Sequence, residues 1–114
     1  MLDGLANGAS AMMPGSACLE TYVRIYDLYR EGKRDAARSL FHRLLPYLSF
    51  ALQHLELAIQ TEKHVMVRRG VFSSARMRRP TLEISAAYQS QMDELVEEAV
   101  ALTEECKPRA AAAR

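Results

Sequence analysis

From Leu19 to Leu102, residues 70–81 apart, the apolar side chains return every three or four residues, whereas a single stretch reads as a strand. That imbalance constrains the fold more than any other feature. A 3.6-residue period commits a segment to helix, and a lone strand cannot satisfy its own backbone donors and acceptors. The strand candidate is the apolar run Ala11, Met12, Met13, set between Gly4 and Gly8 on one side and Pro14-Gly15 on the other. No other part of the chain offers it a partner.

The helical reading begins at Ala17. Leu19, Tyr22, Val23 and Tyr26 share one face, Ser16 is placed to cap, and Glu20 suits the positive end of the dipole. Gly32 in REGKRD offers a left-handed stop, and Asp35 can start the next helix. The second helix carries the longest stripe: Ala37, Leu40, Phe41, Leu44, Leu48, Ala51, Leu52, Leu55. Pro46 lies within it, which predicts a kink or break. A third helix spans Glu56 to Arg69 and stops at Gly70. Residues 70–81 have no period and read as an extended loop. A last helix starts near Ile84 or Ser85, with Tyr88, Met92, Leu95, Val96, Ala99 and Leu102 on its apolar face and a strongly acidic opposite face.

With 114 residues the chain suits one small domain. A net charge of +1 gives no electrostatic case for nucleic acid or an anionic membrane. No apolar run approaches the roughly 20 residues that span a bilayer, and residues 1–16 lack a secretory pattern. No membrane or nucleic-acid partner and a cytoplasmic location are therefore expected. Cys18 and Cys106 match no metal or redox spacing and read as free thiols.

The side chains that could carry chemistry are scattered. His42, His54 and His64 form no ligand pattern, so neither a metal nor another cofactor is expected. Arg68, Arg69, Arg76, Arg78 and Arg79 lie within twelve residues. They suit a phosphate or carboxylate site, but the acidic last helix can pair with them and tie the loop down. Of Lys33, Lys63 and Lys107, Lys63 is the one placed for burial, and its neighbour Glu62 suggests an ion-paired structural lysine.

In order along the chain, GASAMMPG, REGKRDAARSLFHRLLP, Lys63 ahead of the RRG stop, and the RRP of the loop resemble the C-terminal part of the dihydrodipicolinate synthase and N-acetylneuraminate lyase family. The likeness covers about residues 2–103. It implies a Schiff-base lyase, aldolase or dehydratase on a (β/α)8 barrel acting on a keto acid or sugar acid, assembled as a homo-oligomer, usually a tetramer. On this pattern residues 1–31 are the final strand–helix unit, with the strand at about 9–14. Residues 32–104 are a helical extension, and 105–114 a disordered tail. The chain itself is then mainly α.

The Schiff-base lysine of the family has no match among Lys33, Lys63 and Lys107, so no catalytic residue is expected here and the chain alone should be inactive. Barrel active sites lie at the C-terminal ends of the strands, which by resemblance makes Met13, Pro14, Gly15 and Ser16 a substrate-pocket wall. Lys63 and Pro80 match structural positions. The alternative is a stand-alone helical interaction or oligomerisation module without catalysis.

Overall fold

A computed structural model describes residues 1–108. Among them the chain forms five helices and no strand: α1 (Leu2–Ala6), α2 (Leu19–Arg30), α3 (Arg34–Ala51), α4 (Leu55–Arg68) and α5 (Ala86–Glu105). Glu105, expected to open a disordered tail, is the last residue of α5; residues 109–114 of that tail lie outside the described residues. No described helix is long and apolar enough to cross a membrane.

The expected strand is absent. Residues 9–15 have no regular secondary structure, and residues 10–17 enter no backbone–backbone hydrogen bond among the described residues. The cause is the missing partner: an extended segment becomes a strand only when a neighbour completes its ladder. Instead the segment folds back along α2, where Tyr26 Oη donates to Ser10 O at 3.0 Å. The short α1, which no sequence period marked, packs with Met1 and Leu2 against the small cluster of Ile25, Leu28 and Ala37.

The helices otherwise begin and end close to the expected positions. Gly32 and Gly70 take positive φ of 78° and 73° at the ends of α2 and α4. Ser85 caps α5, its hydroxyl accepting the Tyr88 N–H at 3.3 Å. Ser16, however, does not cap α2: the N-cap is Cys18, and its side chain makes no capping bond. Nor does Pro46 break α3, which runs unbroken for 18 residues. Pro46 and His42 share an exposed face, so the carbonyl deprived of its donor can be hydrated.

Two residues of the expected α3 stripe are displaced. Leu52 and Leu55 are 72% and 76% exposed because the chain turns between them. Leu52 is the C-cap of α3, and His54 caps α4, its Nδ1 accepting the Glu56 N–H at 3.2 Å. The turn preserves the apolar phase, so periodicity does not sense it. Tyr47 and Phe50 are buried instead, since α3 packs against α2, α4 and α5 and needs a wider apolar arc than a single stripe.

The main core joins Leu44 and Phe50 of α3, Leu57 and Val65 of α4, and Met92, Val96 and Leu102 of α5. Each such side chain, fully buried, contributes about 1.5–3 kcal/mol. The molecule measures 43 × 40 × 21 Å, a slab about two helices thick. Its radius of gyration, 15.4 Å, exceeds the about 13 Å of a rounded domain of this length.

One polar contact crosses the core. Thr21 of α2 and Thr103 of α5 are fully buried with hydroxyls 3.1 Å apart. Thr103 gives its proton to Ala99 O at 2.8 Å, so Thr21 is the donor between them. Thr103→Val therefore leaves the Thr21 hydroxyl without its acceptor and costs about 1–3 kcal/mol. In chemical denaturation, adding Thr21→Val should recover most of that loss; additive losses would show that the pair is uncoupled.

Candidate functional site

The segment expected to form a pocket wall lies across one edge of the slab. Met13 is 98% exposed, Pro14 is half-buried, and Gly15 and Ser16 are exposed. Met12 to Gly15 form one side of a groove whose floor includes Tyr22 of α2, Leu48 of α3, and Ala58 and Glu62 of α4. Gly15 lies against the Glu62 carboxyl group, so a Cβ there would displace the end of that side chain.

Burial disfavours the charged form of each titratable group under this segment. Burial raises the Glu62 carboxyl above the usual carboxylate range. Burial likewise raises the hydroxyls of Tyr22 and Tyr47, and the buried Tyr47 Oη has no hydrogen-bond partner. The Cys18 thiol is pushed up to about 11, burial outweighing the Thr103 hydrogen bond and the Arg69 charge. The free thiol is therefore inert rather than nucleophilic. Such a cluster can shape a pocket edge; it presents no activated nucleophile.

Lys63 does not pair with Glu62. Its Nζ donates to Arg76 O at 2.8 Å, and no ion pair to it is formed among the described residues. Adjacent helical residues point in different directions, so Glu62 reaches Gly15 while Lys63 reaches the loop. Pro80 is exposed and follows a cis bond from Arg79. Beside it, Gln60 Nε2 donates to Leu82 O at 2.6 Å and to Thr81 Oγ1 at 3.2 Å, and the Glu56 carboxylate accepts the Leu82 N–H. Glu56, Gln60 and Lys63, spaced four and three apart, thus hold the loop by its backbone.

The arginines divide. Arg68 pairs with Glu97 of α5 at 2.7 Å, as expected. Arg69 turns the other way, to Glu20 and Ala17 O at the start of α2. Arg76, Arg78 and Arg79 enter no ion pair among the described residues, so the loop is not tied down by arginine–acid pairs. The histidines stay apart, and the described residues contain no group of three His, Cys, Asp or Glu able to hold a metal. The roles of Glu62, Arg69 and Tyr47 were missed in sequence because each depends on a partner distant along the chain.

These elements belong to a known class: the chain is a member of the dihydrodipicolinate synthetase family, whose model matches residues 2–99. Among similar proteins is the 4-hydroxy-tetrahydrodipicolinate synthase of Xanthomonas axonopodis pv. citri, 35% identical over 99 residues, 87% of this chain and 30% of that protein. The protein of the same name from Xanthomonas campestris pv. campestris is 36% identical over 100 residues, 88% of this chain and 30% of its own length. The chain thus spans about 30% of the length of the curated relatives it matches. No solved structure gives a significant match.

A carboxyl whose folded pKa is raised binds its proton more tightly when folded. Stability is therefore lost as pH rises from the ordinary value near ~4.3 through the raised value. Glu62→Gln should raise the melting temperature at pH 7, with the gain shrinking toward pH 4. A gain independent of pH would show that ionisation of Glu62 is not its source.

Proposed function

We propose that this chain supplies the C-terminal part of a family lyase or dehydratase acting on a keto acid through a lysine Schiff base. The lysine belongs to a part of the protein outside these residues. Residues 1–31 provide the final strand and helix of a (β/α)8 barrel, and 32–104 the helical extension. In that setting residues 9–14 gain the neighbouring strand they lack here, and Met13, Pro14, Gly15 and Ser16 line the substrate pocket. Lys63 and Pro80 keep the extension's loop in place. The assembly is a cytoplasmic homo-oligomer, a tetramer by family likeness, and the names of the two Xanthomonas relatives favour formation of 4-hydroxy-tetrahydrodipicolinate.

The observation that carries this reading is the family match over residues 2–99, which corresponds to 30% of each relative. Two structural facts support it. Residues 10–17 have backbone groups that no ladder uses. Leu19 and Val23, about half exposed, extend an apolar surface beside them. A second reading, the stand-alone helical module, draws support from the core that α3, α4 and α5 share, which Ala17 and Cys18 complete from within this chain.

Borohydride trapping with pyruvate separates the possibilities. The isolated chain should form no reducible adduct at Lys33, Lys63 or Lys107. Mixed with the upstream portion of a Xanthomonas relative, it should restore an adduct on the added portion together with synthase activity. A stoichiometric adduct on this chain alone would contradict the proposal. A monodisperse monomer that binds no apolar dye and restores nothing would establish the module.

A further inference from the structure

We propose that Arg69 is a positioning residue for the Met13–Ser16 segment, acting through the first turn of α2. Its relevance to a substrate rests on the reading of that segment as a pocket wall. The first turn of α2 has no side-chain cap of its own at Cys18. Ala17, just ahead of it, is 1% exposed, and no backbone donor reaches its carbonyl among the described residues. Arg69, the C-cap residue of α4, fills that gap. Its Nη1 donates to Ala17 O at 2.7 Å, while its Nη2 pairs with the Glu20 carboxylate.

The geometry suits arginine in particular. A planar guanidinium can hold a carbonyl and a carboxylate at once from two nitrogens, whereas an ammonium offers a single centre. Glu20 lies in the first turn of α2, where the helix dipole already favours its charge. The Arg69 side chain is 11% exposed and that of Glu20 24%. Among the described residues the buried Arg69 Nε and Glu20 Oε2 find no partner, so removing Arg69 would leave the part-buried Glu20 carboxylate without its counter-charge.

The wall depends on this hold because it has little else. Residues 10–17 carry no backbone–backbone bonds among the described residues. Their position follows from Ala17 at one end, the Tyr26–Ser10 bond at the other, and the seat of Gly15 on Glu62 between them. Glu62 and Arg69 both come from α4 and its cap, so the segment is held chiefly from the extension.

The test uses the full chain and two local probes: alkylation of Cys18, which is buried beside the anchor, and exchange of the Tyr22 amide, whose N–H donates to Cys18 O at 3.1 Å in the first turn of α2. Arg69→Ala should raise both rates about tenfold or more while leaving exchange at Met92–Leu102 unchanged. Arg69→Lys, which keeps the charge but not the fork, should recover part of the protection. Glu20→Gln retains the Ala17 bond and should give a smaller rise, and it serves if Arg69→Ala does not fold. Arg68→Ala, which removes an exposed pair, should change neither probe. Unchanged rates in Arg69→Ala, or an equal rise across the whole chain, would overturn the proposal. Neither probe needs turnover, so this result stands apart from the trapping experiment, whose failure would remove the wall's role and leave the anchor in place.

Discussion

The guanidinium of Arg69 joins the two parts of the molecule that local folding cannot join. It closes the C-terminal end of α4 onto the uncapped start of α2, and it reaches a buried carbonyl and a part-buried carboxylate from one side chain. The other irregular segment depends on the same helix. Glu56, Gln60 and Lys63 hold the 71–85 loop by its main-chain groups. Helix α4 therefore acts as a strut: one face enters the core through Leu57 and Val65, and the rest fixes what has no regular structure.

What the sequence disclosed follows the range of the forces involved. Helices α2 to α5 were legible because burying one face imposes a 3.6-residue period, and Gly32, Gly70 and Ser85 mark their ends through purely local geometry. The strand expected at 9–14 is not formed in this chain: an apolar run between turns has the composition of a strand whether or not a partner is present to complete its ladder. The turn at Leu52–His54 was hidden because it keeps the apolar phase. At the candidate site, Pro14-Gly15 could be seen as a turn, but the contact of Gly15 with the Glu62 side chain, 47 positions along the chain, could not. Arg69 looked like one member of a basic cluster, and its orientation toward α2 rather than α5 is a packing outcome.

The flattened shape connects structure to function. A slab about two helices thick buries Leu44, Val65 and Met92 well. It leaves Met13, Leu19 and Val23 on one surface, beside a segment with unused backbone bonds. These are the features on which the proposed completion of a barrel rests. The cluster of Cys18, Tyr22, Tyr47 and Glu62, each with its charged form disfavoured by burial, supports that edge and presents no activated nucleophile.

The central claim is that residues 9–14 are a strand awaiting its ladder. Amide exchange over Ala9 to Met13 in the chain alone, and then with the upstream portion of a Xanthomonas relative, tests it most directly. The account predicts rapid exchange in isolation and strong protection on mixing, confined to this segment and the adjoining face of α2. Protection already present in the isolated chain, or no change on mixing despite binding, would contradict it.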